Sequence, residues 1–206
     1  MKWRMAACVL PFAIGIAACS DDPVSPEPEP GAELAEAAMA HVQAALAVAA
    51  QQEGTGLVLE SLTGLTVPLI GLPLGDVVID QAVITNFWLV EDVVGSIVGL
   101  EAEGLLQLSG GVLGTDVVTE DFRTVVSVAS SGSSCRLIGI DLGPITLDAL
   151  FGGVSVDVPV ATVNTRSAGI VGILLCFLGR LLETTITDPI AAVIRAIVDV
   201  VNLLLI

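Results

Sequence analysis

The sequence predicts an α+β domain: an antiparallel sheet of about five to seven strands, with an N-terminal helix and C-terminal helices packed on it. Three observations carry this. Residues 34–52 and 189–205 repeat apolar side chains at helical spacing. Between them, from Leu57 to Arg166, Val, Ile, Thr and Gly dominate and short turn signals interrupt them. Within that stretch apolar and polar residues alternate, which is the period of a half-buried strand.

The first element is a helix from Leu34 to Gln52, a stretch of strong helix formers without Gly or Pro. Leu34, Ala38, Val42, Ala45 and Ala49 share one face; Glu36, Gln43 and Gln51 lie elsewhere, and Gly54 and Gly56 supply a stop. His41, the one histidine of the chain, reads as a partly exposed residue of this helix, because no second ligand or nucleophile is spaced to meet it.

The strands follow. "VVIDQAVITNFWLV" is apolar on both faces, which requires cover on both sides or a bulge. In "VGLEAEGLLQLSG", Leu100, Ala102, Leu106 and Leu108 point one way, and Glu101, Glu103, Gln107 and Ser109 the other. "DFRTVVSVAS" repeats the pattern, with Phe122, Val126 and Val128 opposite Arg123 and Ser127. Gly110, Gly111 and Gly114 mark a hairpin loop between the two. "CRLIGIDLG" and "GGVSVDVPVATVNT" read as further strands, and Pro159 places an edge or a bulge in the second.

A helix begins near Gly169, and the last one is capped by Thr187 or Asp188 with Pro189 as its first residue. Ile190, Val193, Ile194, Ile197, Val201, Leu204 and Leu205 form its wide apolar stripe, with Arg195 and Asp199 off centre at i, i+4 spacing. Two charges within fewer than twenty residues, and no basic flank, favour a packed helix over a membrane span.

Ahead of this domain, "MKWRMAACVLPFAIGIAA" (1–18) has two cations and an apolar run ending in small residues, the layout of a secretory signal peptide. Ile16-Ala17-Ala18-Cys19 at its end resembles the lipobox of bacterial lipoproteins. That resemblance implies cleavage before Cys19 and acylation of its thiol and new amino group. Two or more acyl chains anchor a protein stably to a membrane. Residues 19–33 then form the lipidated cysteine and a tether that alternates proline with acid, spanning up to about 40 Å in polyproline II. Residues 34–206 form a single globular domain. Ser20 after the cysteine implies the outer rather than the inner membrane. An ordinary signal peptide with a chance cysteine is the competing reading.

Charge narrows the partners. After Cys19 there are five arginines and no lysine against all 23 acidic residues, a net of −18. Such a chain repels nucleic acid and anionic lipid headgroups, so a membrane is reached only through the Cys19 anchor. With 3% aromatic residues and no Tyr, stacking platforms for sugars and bases are lacking. The sequence sets no oligomeric state.

Cys8 leaves with the signal and Cys19 carries lipid, so Cys135 and Cys176 remain. A pair in an exported chain is most simply a disulfide, with two buried free thiols as the alternative. No G-x-S-x-G, H-E-x-x-H, C-x-x-C or P-loop occurs, and one histidine cannot build a histidine metal cluster. No catalytic residue, cofactor or metal ligand is therefore assigned. Asp141, Asp148 and Asp157 lack the dense spacing of a calcium loop and read as polar strand-face residues.

"CRLIGIDLGPITLDALFGGV" (135–154) and "GIVGILLCFLG" (169–179) resemble a family of exported bacterial proteins whose pattern is a cysteine, L-x-L-x-L-G-P-L, and later L-L-G-N-L-L-C before a helix. The matching residues are Cys135, Leu142, Gly143, Pro144, Leu147, Asp148, Gly172, Leu174, Leu175 and Cys176, and the likeness covers 76–182. Ile173 stands where the family has Asn, so no role of that Asn carries over. The resemblance implies an exported domain and the cysteine pair, and no reaction.

Three functions fit. The leading expectation is a membrane-anchored, non-catalytic binding module for an apolar ligand or a protein partner, because apolar strands beside very apolar helices can leave a cavity. A structural or surface lipoprotein without a small ligand is second. An enzyme of unfamiliar type, working through carboxylates such as Asp141, Asp148 and Asp157, is third.

Overall fold

A computed structural model of the chain describes residues 30–49, 56–67, 76–130, 135–147, 154–165 and 168–206. The stretch expected to be a signal peptide (1–18), Cys19, the expected tether up to residue 29 and Asp148 lie outside the described residues. In chain order the elements are α1 (Pro30–Ala49), β1 (Leu57–Val58), β2 (Thr66–Val67), β3 (Val77–Glu91), β4 (Ile97–Ser109), β5 (Val118–Ser130), β6 (Leu137–Leu142), β7 (Ile145–Leu147), β8 (Val154–Val156), β9 (Ala161–Asn164), α2 (Gly169–Leu182) and α3 (Asp188–Leu205). This is the α+β class that the sequence predicts, with an antiparallel seven-stranded sheet in the order β1-β3-β4-β5-β6-β9 and β2 beside β3. β7 and β8 form a separate two-stranded hairpin.

Alternation builds the sheet. Leu100, Ala102, Leu106 and Leu108 of β4 and Phe122, Val126 and Val128 of β5 are buried on its inner face, in register across the hairpin that the three glycines mark. β3 resolves its two apolar faces by bulging: its register with β4 shifts between Ile79 and Gln81, between Ile84 and Asn86, and between Val90 and Glu91. Each bulge adds twist. The sheet curls until its ends meet, where the Thr162 N–H of β9 donates to Ser61 Oγ in the turn after β1 (2.9 Å). Pro159 falls between β8 and β9, so the last strand stretch divides into two strands.

The helices fill the curl in two layers. α2 packs on β5 and α3 on β3, and α1 lies across α2 and α3. Gly179 lets α2 approach the strand backbone, because a Cβ there would sit 2.6 Å from the Val128 carbonyl oxygen. All seven stripe residues of α3 are buried, and so are Val198 and Val200. The buried surface is wider than the stripe because three partners surround this helix. Among the described residues no helix is long and apolar enough to cross a membrane. α1 begins at Pro30, four residues before the expected boundary, so residues 30–33 form its first turn rather than the end of an extended segment. A fixed proline φ and an early Glu33 both suit a helix start. Ala38, Val42 and Ala45 face inward as predicted, joined by Ala35.

α3 also closes one sheet edge. The Phe87 N–H donates to Asn202 Oδ1 (2.8 Å), and Asn202 Nδ2 donates to the Phe87 carbonyl (2.8 Å), so one side chain replaces a neighbouring strand. Asn202→Leu removes both partners from part-buried backbone groups. It is expected to lower stability by about 2–3 kcal/mol in urea unfolding; an unchanged midpoint would show that water serves this edge equally well.

Candidate functional site

One end of the domain holds three open grooves among the described residues. The hairpin between β3 and β4, the turn from α2 to α3 and the start of α1 meet there. The α1 start is placed by Gly31, whose Cβ would lie 2.7 Å from Ile190 Cδ1 and 3.9 Å from Thr184 Oγ1.

The hairpin turn is held from within. Asp92 Oδ1 accepts the Val94 N–H (3.0 Å) and the Ser96 N–H (2.8 Å). The Gly95 N–H donates to the Asp92 carbonyl (3.0 Å), and Gly95 takes the left-handed φ of +82° that closes the turn. Arg195 of α3 clamps it, donating to Glu91 Oε1 (2.7 and 2.9 Å) and to the Gly95 carbonyl (3.0 Å). Arg195, off the centre of the α3 stripe, turns to the hairpin, where a carboxylate and a carbonyl converge. This geometry sends Val93 and Val94 outward, at 104% and 80% exposure.

Among the described residues three grooves open at this end, the last two bordering the turn. An apolar one of about 220 Å³ runs between α1 and α3, lined by Ala32, Ala35, Met39, Pro189, Ile190 and Val193 with Glu36 and Thr187. A more polar one of about 300 Å³ lies between the hairpin and the α3 start, bounded by Ser96, Thr187, Asp188 and Arg195. A third of about 400 Å³ separates β4 and β5 from the end of α2, with Leu100, Val126, Leu182 and Ile186 in its walls. Thr187 is shared by the first two, and Ile97 and Ile186 by the last two. All three are open grooves; the space between the sheet and α2 is filled by Leu174, Leu175, Cys176 and Leu178, which are fully buried.

The outer sheet face carries a second cluster. Trp88 is 46% exposed, and its Nε1 donates to Glu103 Oε2 (3.2 Å). The Arg123 guanidinium lies 5.7 Å from the Trp88 ring centroid and donates to Glu101 Oε2 (2.7 Å). Cross-strand register makes the cluster, since Trp88 lies opposite Glu101 and Glu103 opposite Arg123. Trp88 is the one tryptophan after Cys19, the signal by which the sequence could have marked it.

The residues singled out from sequence are dispersed. Cys135 and Cys176 form a disulfide with 5.8 Å between their Cα atoms, joining the approach to β6 to the middle of α2. Asp141 and Asp157 are exposed. His41 is part-buried on α1 with its ring 5.1 Å from that of Phe177. Among the described residues no three His, Cys, Asp or Glu side chains group as a metal site. Sequence reasoning missed Glu120, a carboxylate 3% exposed on the inner face of β5, although the period of two that buries Phe122 and Val126 places it on that face. No family model matches the chain, and no curated protein or solved structure matches it.

Proposed function

We propose that the chain is an exported protein, anchored through lipid on Cys19 to the outer membrane, that binds an apolar ligand without catalysing a reaction. The groove between α1 and α3 carries this reading. It is apolar, open, and adjacent to the residue where the tether joins the domain. Met39 gives it an adaptable wall, as suits a chain-like apolar ligand of no single shape. A protein partner is the second reading, favoured by the exposed Trp88 and Arg123, residue types enriched where binding energy concentrates.

Two measurements test the reading. Radioactive fatty acid is expected to label the parent and not Cys19→Ala; equal labelling would end the anchored reading. Native mass spectrometry of the domain is expected to show added mass that solvent extraction removes. Ala32→Trp, which fills the groove, is expected to weaken binding of a fluorescent fatty acid by about tenfold or more. Bare sequence mass in every preparation, with no probe binding by the parent, would leave the protein-partner reading in front.

A further inference from the structure

We infer that the β3–β4 turn is a membrane-contacting tip: Val93 and Val94 enter the surface of a neutral, zwitterionic bilayer, beneath the domain that the tether holds there. This rests on the anchored reading of Cys19 for its setting, and on three features of the turn for its chemistry.

The first is exposure. Val93 at 104% is the most exposed large apolar side chain among the described residues, and Val94 at 80% is passed otherwise only by the terminal Ile206. Neither supports the fold from that position, whereas side chains of the same type at Val77 and Val201 are fully buried.

The second is the backbone. An apolar layer excludes turns whose N–H groups need water. Here the N–H groups of Asp92, Val94, Gly95 and Ser96 have partners within the turn, which leaves the Val93 N–H as the one turn donor for water or a lipid headgroup oxygen to meet at the bilayer surface. Entry of the tip leaves these donors satisfied. Arg195 holds the turn to α3, so the two valines are presented without ordering a loose loop.

The third is position. The tip lies at the end where α1 begins, and ten residues separate Cys19 from Pro30. Fully extended, that connection spans at most about 35–40 Å, so an anchored domain has the end that carries the tip within reach of the lipid. Two valines bind a bilayer poorly from solution, but a tether makes their insertion intramolecular at high effective concentration. The flanking Glu91, Asp92, Glu183 and Asp188 give this end an acidic rim beside Arg195, which selects against anionic headgroups.

The test replaces residues 1–19 with a hexahistidine tag and holds the chain on phosphatidylcholine vesicles through a nickel-chelating lipid. It therefore reads the tip whether or not Cys19 is acylated, and fatty-acid labelling reads acylation separately. In a Trp88→Phe background, Val93→Trp supplies the only indole. Phosphatidylcholine brominated on its acyl chains is expected to quench that emission by about half or more, with a blue shift. Leu203→Trp, in the same background and near the far end of α3, is expected to be unquenched. Adding phosphatidylserine is expected to reduce the quenching. Equal emission of Val93→Trp with brominated and plain lipid, or equal quenching at both positions, would overturn the inference; the first would leave protein contact as the role of the tip.

Discussion

Replacing Ile194 and Ile197 together by aspartate is expected to abolish cooperative unfolding of the domain. Both side chains are fully buried on α3, inside the layer between β3 and α1. Each substitution removes an isoleucine's burial, about 2–5 kcal/mol by the measure of large-to-small changes. Each also puts a carboxyl among apolar neighbours, which costs several kcal/mol more even when the group stays protonated. Their sum reaches the ~5–15 kcal/mol that holds a domain of this size together. Ala192→Asp, on the exposed side of the same helix, is expected to shift stability by no more than about 0.5 kcal/mol. Circular dichroism during urea titration distinguishes the two. A double variant that unfolds cooperatively like the parent, and only leaves the membrane fraction, would show that α3 serves a bilayer rather than the sheet.

That α3 packs was legible because its period of 3.6 runs through seven residues, and every one of them is buried. β4 and β5 were legible for the matching reason, a period of two held over most of each strand. β3 was legible only as a choice between double cover and a bulge, since a bulge is decided by neighbouring strands. The start of α1 was misplaced because the proline-rich stretch of sequence continues into its first turn, and Pro30 is as compatible with a helix start as with polyproline II.

The candidate site was the least legible part, for a physical reason. Its grooves are gaps between elements distant in sequence, residues 32–39 against 187–193, and no local pattern records a gap. Local spacing shows only that Arg195 and Asp199 lie four residues apart off the centre of the α3 stripe. The hairpin, about 100 positions earlier in the chain, offers Arg195 a carboxylate and a carbonyl together. Two acceptors in fixed geometry outweigh one exposed i, i+4 pair, which is worth only a few tenths of a kcal/mol. The Trp88–Arg123 contact has the same origin: it exists only once β3, β4 and β5 are in register.

Breaking the Cys135–Cys176 bond is expected to lower stability by roughly 4 kcal/mol, because the bond closes a loop with a sequence separation of 41. The cross-link joins parts that other contacts hold unequally. Cys176 is fully buried on α2, whereas Cys135 is part-buried just ahead of β6, fixed by its carbonyl accepting Thr165 Oγ1 (2.6 Å). Cys135 also has a φ of +47°, unfavourable for a residue with a Cβ. That separates two contributions. Cys135→Ala with Cys176→Ala loses the cross-link and keeps the unfavourable backbone. Cys135→Gly with Cys176→Ala loses the cross-link and relieves the backbone, so it is expected to be the more stable pair by about 0.5–1 kcal/mol. Urea unfolding of protein recovered from an oxidising compartment measures both, and reductant added to the parent is expected to reproduce the larger drop. A parent whose midpoint does not move with reductant, and which shows two titratable thiols once denatured, would place Cys135 and Cys176 as unbonded neighbours.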